Sequence, residues 1–185
     1  QDKFDGILVV APKSAFLAWD EEIDEWVNEN HPLKEHGITR LVGSENDISK
    51  LLISGRKYFI INYQRLMSMH PELRKFLHDK KNKVHLVLDE SHRIKNNSQQ
   101  SIAARGLSGL SIRREILSGT PMPRSPDDFT NQFNFLYAGP FDYLLRENSL
   151  SNFWVRIKKS ELGLKKPIIK NLIVTMRSEE RRVGK

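Results

Sequence analysis

The sequence predicts an α/β fold with a mostly parallel sheet covered on both faces, and three observations carry that expectation. Short apolar, β-branched runs recur at residues 7–11, around 40–42, and at 58–61, 84–88 and 112–117, with the length and content of buried strands. Stretches with helical apolar spacing separate them. Strands alternating with helices build a parallel sheet with a helical layer on each side.

Taken in order, the first run stops at Pro12-Lys13-Ser14, and the clearest helix follows. Phe16, Trp19, Ile23, Trp26 and Val27 form one apolar stripe, with Asp20, Glu21, Glu22, Asp24 and Glu25 around it, which reads as a core-facing helix. Weaker helices are expected at 47–53, 71–78 and 98–107. The third run stops at Asn62-Tyr63, the fourth at Asp89-Glu90-Ser91-His92, and the fifth at Ser118-Gly119-Thr120-Pro121. Beyond it, Ser125-Pro126-Asp127-Asp128 supplies an N-cap, a proline at the first helical position and early acidic residues. Phe129, Phe133, Leu136 and Tyr137 then give that helix its buried face. If the strands are parallel, these polar stops share one edge of the sheet, where ligands gather in open α/β folds.

At 38% hydrophobic and 29% charged, the 185 residues suit one ordinary globular core. No run of about 18 apolar residues is present, so no membrane-spanning helix is expected, and no signal peptide is visible. The absence of cysteine excludes disulfides and cysteine-ligated zinc, which fits a reducing compartment. The net charge of +7 is uneven: residues 156–185 hold ten Lys/Arg against three Asp/Glu, leaving twenty of each before them. That basic end reads either as a solvated terminus or as a polyanion contact. The chain opens at Gln1 without methionine and enters a strand-like run within a few residues, as a piece of a longer chain would. Residues 178–185 abandon the preceding apolar pattern and are expected to be a non-native tail.

Asp89 and Glu90 would ruin the run at 84–88 as core, so they belong at its mouth. There an aspartate can hold Mg²⁺ through water, and a neighbouring glutamate can orient or deprotonate an attacking water. His92 could reach across to Ser118 or Thr120. A bare Asp-Glu pair also reads as the start of a solvated loop, and the pair alone leaves both open. Gly106-Leu107-Ser108-Gly109-Leu110 falls short of a nucleophile elbow, having leucine where the last glycine belongs. His31, His36, His70, His78 and His85 lack metal-ligand spacing. Asn96-Asn97-Ser98 reads as a turn and N-cap.

The stretch Leu88-Asp89-Glu90-Ser91-His92-Arg93-Ile94-Lys95-Asn96, then Leu117-Ser118-Gly119-Thr120-Pro121, together with Val9-Val10-Ala11-Pro12-Lys13-Ser14 and Trp19, resembles the Swi/Snf-type ATPases of helicase superfamily two. The likeness runs over nearly the whole chain in family order. It implies a three-layer RecA-like α/β/α lobe, the first of two and incomplete, over residues 1–160. Residues 161–177 would then begin the connection to an absent second RecA-like lobe. The implied function is that of a DNA-dependent ATPase that translocates on double-stranded DNA, using ATP and Mg²⁺. Its location would be cytoplasmic in a bacterium or phage and nuclear in a eukaryote; the spacing of the two motifs resembles the shorter bacterial and phage members.

Carried over residue by residue, the resemblance implies Asp89 as the water-mediated Mg²⁺ partner, Glu90 as the base for water, and His92 as the link to Ser118, Gly119 and Thr120. Pro12, Lys13 and Ser14, with Asn62 and Tyr63 nearby, would meet the DNA backbone, through phosphates rather than bases. Phe133-Asn134-Phe135-Leu136 resembles the family's aromatic helix, and Val155-Arg156-Ile157-Lys158-Lys159 the basic stretch closing the first lobe. Arg124 stands where the family usually has Asn, and Ser91 where Gly or Ala is commoner. No Gly-x-x-x-x-Gly-Lys-Ser/Thr phosphate loop occurs in the 185 residues, so the chain alone is expected to bind ATP poorly and to be inactive. Two other readings remain at this point: a nucleic-acid-binding module with a decayed ATP site, and a metal-dependent nuclease, which would need further carboxylates.

Overall fold

Five strands, β1 (Gly6–Val10), β2 (Thr39–Arg40), β3 (Tyr58–Ile61), β4 (Val84–Asp89) and β5 (Arg113–Leu117), form one sheet in the order β2-β3-β1-β4-β5. Every pairing in the computed structural model is parallel. The structure describes residues 6–79 and 83–137, with Val155, Ile157 and Glu161 beyond them. Two units divide the chain, residues 1–145 and 146–185, and the elements described here lie in the first. The connection expected at 161–177 and the non-native tail expected at 178–185 lie outside the described residues except for Glu161, as do Arg156, Lys158 and Lys159 of the basic stretch.

β1 is the central strand, with Val9 opposite Ile60 on one side and Val87 on the other. Leu8, Val9 and Val10 are fully buried, because helices cover both faces and a strand so placed has no polar side. Alternate residues serve opposite layers. Leu8, Val10, Phe59, Ile61, Leu86 and Leu88 join the larger cluster with Ile48, Leu66, Leu73, Leu77 and Leu107. These last five come from α3 (Glu45–Leu52), α4 (Tyr63–Ser68), α5 (His70–His78) and α6 (Gln99–Ser108). Val9, Ala11, Ile60 and Val87 meet Phe16 and Trp19 on the other face, both carried by α1 (Phe16–Trp26). The remaining helices are α2 (Pro32–His36) and α7 (Thr130–Tyr137). The expected three-layer RecA-like α/β/α arrangement is therefore observed.

Where the fold departs from expectation, the reasons are local. The apolar stripe of α1 outruns the small cluster beneath it: Phe16 and Ile23 are buried, but Trp26 is 75% exposed. α3 starts earlier than residue 47, because Asp47 is the partner in a capping box and not its opening; Ser44 and Asp47 exchange bonds of 3.2 Å between side chain and backbone. The Ser44 hydroxyl, donating to Asp47 Oδ2 at 2.6 Å, and then the Ser44 backbone N–H hold the Asp47 carboxyl below its ordinary range. Ser125 makes no side-chain cap, and Pro126–Phe129 form a 3-10 turn before α7 begins at Thr130. β5 lies on the sheet edge, so its residues alternate between exposed and half-buried where a fully buried run was expected. No helix among the described residues is long and apolar enough to cross a membrane.

Candidate active site

Because all strands point the same way, the segments after β1, β3, β4 and β5 meet at one edge. Pro12, Ser14, Ala15, Asp89, Glu90, His92 and Arg93 line a pocket of about 330 Å³ there. A groove of about 680 Å³ receives Pro12, Lys13, Ser14, Asn62 and Tyr63, and adds Arg65 and Arg93. Pro12, Ser14 and Arg93 belong to both. The acidic box and the expected nucleic-acid segments are thus brought side by side.

Asp89, the last residue of β4, is held at three points. Its Oδ1 accepts the Glu90 backbone N–H at 2.8 Å, its Oδ2 accepts the Trp19 indole N–H at 3.0 Å, and its carbonyl accepts the Tyr63 hydroxyl at 2.7 Å. Glu90 then adopts a left-handed backbone (φ 52°, ψ 49°), the one non-glycine residue with positive φ among the described residues. That conformation costs about 1–2 kcal/mol for an L-residue and persists where the surroundings over-determine it. Ser91 and Ile94, both fully buried, anchor the 3-10 turn that follows.

The sharp bend brings Glu90 and His92 together. Glu90 Oε2 lies 3.0 Å from His92 Nδ1, and the two side chains are 45% and 33% exposed, so the carboxylate is open to water. His92 Nδ1 also stands 3.4 Å from Ser118 Oγ, which accepts the Thr120 N–H at 3.2 Å. Gly119 and Thr120 are exposed at the mouth. The box and the Ser-Gly-Thr segment therefore touch through His92 and Ser118.

In the groove, Lys13 and Ser14 are exposed, whereas Asn62 and Tyr63 are only 2% and 1% exposed. Their side chains serve the fold. Asn62 Oδ1 caps α4 by accepting the Arg65 N–H at 3.0 Å, while burial drives the Tyr63 phenol well above its ordinary pKa. Tyr63→Phe leaves the Asp89 carbonyl without its buried donor, and a loss of about 1–3 kcal/mol is expected, read as a lowered denaturant midpoint. A midpoint unchanged from the parent chain would show that water replaces the hydroxyl.

Three residues with no assigned part in the sequence reading contribute here. Arg93 lies over the Tyr63 ring at 5.9 Å, and Arg65 bonds the Gly43 carbonyl. Gln132, fully buried, accepts from Ser91 Oγ at 2.6 Å and donates to the carbonyls of Pro121 (2.6 Å) and Asp128 (2.9 Å). Its position inside the aromatic helix gave no polar signal; only a polar residue set among Phe129, Phe133 and Phe135 hints at it.

Among the described residues no group of three or more His, Asp, Glu or Cys could cage a metal ion. Mg²⁺ does not need one, since it keeps most of its waters and takes one or two carboxylates plus substrate phosphates. Asp89 offers such a carboxylate, already oriented and with lone pairs to spare, so the residues fit the ion.

Residues 1–178 match the family model described as the SNF2-related domain. The DNA repair and recombination protein RDH54 of Saccharomyces cerevisiae (strain YJM789) is 32% identical over 144 residues, covering 72% of this chain and 14% of that protein. Chromatin remodeling 25 of Arabidopsis thaliana is 30% identical over 139 residues, covering 71% and 14%. The DNA repair and recombination protein RAD54 of Oryza sativa subsp. japonica is 29% identical over 139 residues, covering 71% and 13%. The chain spans about one seventh of the length of these relatives. With the match running through the acidic box, the Ser-Gly-Thr segment and the strand-end groove alike, the chain belongs to the SNF2-related, Swi/Snf-type family.

Proposed function

We propose that this chain is the first lobe of a DNA-dependent ATPase that moves along double-stranded DNA. The observation that supports it best is the shared wall of pocket and groove: Pro12, Ser14 and Arg93 border both the acidic box and the basic, exposed Lys13 segment. Asp89 would hold Mg²⁺ through water, and the ion would neutralise charge on the ATP phosphates. Glu90 takes the proton of the attacking water, a task suited to a carboxylate open to solvent and braced by His92. His92 and Ser118 relay the state of that site to the Ser118-Gly119-Thr120 segment, which faces outward. Lys13 and Ser14 contact phosphates of the backbone, giving binding without sequence readout. A phosphate loop and a second lobe, supplied by residues other than these 185, complete the ATP site. Relatives named for DNA repair, recombination and chromatin remodelling support a nuclear site of action if the source is a eukaryote.

Duplex DNA should stimulate ATP hydrolysis by the intact protein; turnover indifferent to DNA overturns the reading. Lys13→Ala should weaken duplex binding about equally across sequences and reduce the slope of log affinity against log salt by about 1. An unchanged slope would remove Lys13 from the backbone contact. Tight DNA binding with no turnover in the intact protein would favour the decayed module.

A further inference from the structure

We infer that Trp19 is a positioning residue for Asp89, tying the metal-facing carboxylate to the segment that precedes α1. The inference rests on the proposed role of Asp89 as the Mg²⁺ partner. Apolar spacing alone accounts for an aromatic ring at position 19, since Trp19 packs on the cluster of Val9, Ala11, Ile60 and Val87. Spacing does not account for the indole nitrogen. That N–H donates to Asp89 Oδ2 at 3.0 Å, across 70 positions of sequence.

An indole N–H only donates, and its bond to an ionised carboxylate is charge-assisted. The ring itself is fixed by its packing, so it dictates where the carboxylate sits. With Oδ1 taken by the Glu90 N–H at 2.8 Å, both oxygens are pinned and the plane of the group is set. Each oxygen keeps a lone pair for a metal-bound water. Partners of this kind, which bond a ligand and not the metal, commonly govern metal affinity by 10- to 100-fold.

The bond also has a direction along the chain. Lys13–Ala15 form a single 3-10 turn, closed by the Ala15 N–H on the Pro12 carbonyl at 3.0 Å, and α1 starts at the next residue. Trp19 lies one turn further on. A nucleic-acid backbone engaging Lys13 and Ser14 therefore acts on the helix that holds Asp89.

The test is Trp19→Phe in the intact protein, which keeps a smaller aromatic ring on the cluster and deletes the N–H. The Mg²⁺ concentration for half-maximal turnover should rise about 10-fold or more, with turnover recovering at high Mg²⁺, and Mn²⁺ followed by paramagnetic resonance in the presence of ATP should bind correspondingly more weakly. A ring that merely packs would lower turnover at every Mg²⁺ concentration and leave the midpoint in place, which overturns the inference. A second measurement keeps the indole and its N–H at position 19: the ¹⁹F resonance of 5-fluorotryptophan placed there should shift on Asp89→Asn. A resonance that stays put overturns the bond itself. If Glu90→Gln and Asp89→Asn both keep full turnover, the ATPase reading falls and takes this inference with it. If both abolish turnover while Trp19→Phe leaves the Mg²⁺ midpoint unmoved, the inference alone falls.

Discussion

Glu90→Gln in the intact protein is expected to lower ATP turnover by a factor of about 10²–10⁴, the contribution of a positioned general base, while nucleotide binding survives. The substitution is well matched to the geometry. Glutamine keeps the length of the side chain and can still accept from His92, whose Nδ1 is 3.0 Å from the glutamate oxygen. It carries the same burden in the left-handed backbone at φ 52°, since neither residue is favoured there. What disappears is the basicity of the carboxylate and its negative charge beside the metal site. Steady-state turnover with saturating DNA, set against the affinity for a non-hydrolysable ATP analogue, separates the two effects. Turnover within tenfold of the parent protein would remove Glu90 as the base and shift attention to a water held by other groups. Loss of analogue binding along with turnover would instead assign Glu90 to charge balance at the phosphates.

Much of this site could be read from the chain because strand ends carry chemistry in short, contiguous words. Asp89, Glu90, His92 and Ser118 follow apolar runs that leave them nowhere else to sit, and parallel pairing then brings them to one edge. Strand β1 and the acidic helix α1 were equally plain from their spacing. Harder to see were elements whose cause lies far away in sequence. The five residues of α2 and the six of α4 are too few to show a helical period, and only the capping residues before them signal them: His31 accepting the Leu33 N–H, and Asn62 that of Arg65. Trp19 shows the limit best. Its spacing announces a core ring correctly, yet the nitrogen that reaches Asp89 depends on a contact no local pattern encodes. Trp26 occupies the same stripe and is left 75% exposed, because periodicity says which face a residue is on and not where the opposing surface ends.

Gln132→Leu should cost about 2–4 kcal/mol of folding stability, the sum of one buried and two part-buried polar groups losing their partners. Leucine fills a similar volume, so the loss is polar and not a matter of cavities. Ser91 Oγ, fully buried, loses its acceptor; the carbonyls of Pro121 and Asp128 lose their donor. Its neighbour Asn131 continues to hold the Lys95 carbonyl at 2.8 Å, so α7 stays attached to the turn after the acidic box, and the damage is confined to the Gln132 bonds. The pairing with Ser91 is separable. Ser91→Ala alone removes a donor and leaves Gln132 Oε1 unpaired, whereas Ser91→Ala together with Gln132→Leu leaves neither end waiting. The double variant should therefore be more stable than additivity predicts, with a coupling of about 0.5–3 kcal/mol, measured from denaturant midpoints of the chain and its three variants. Additive behaviour would mean that Ser91 bonds elsewhere once Gln132 is gone. Two of these bonds, through Ser91 and the Pro121 carbonyl, join the acidic box to Pro121, directly after Ser118-Gly119-Thr120. Loosening them in the intact protein should accordingly reduce DNA-stimulated turnover more than basal turnover, because that segment faces outward while Asp89 and Glu90 keep their own supports.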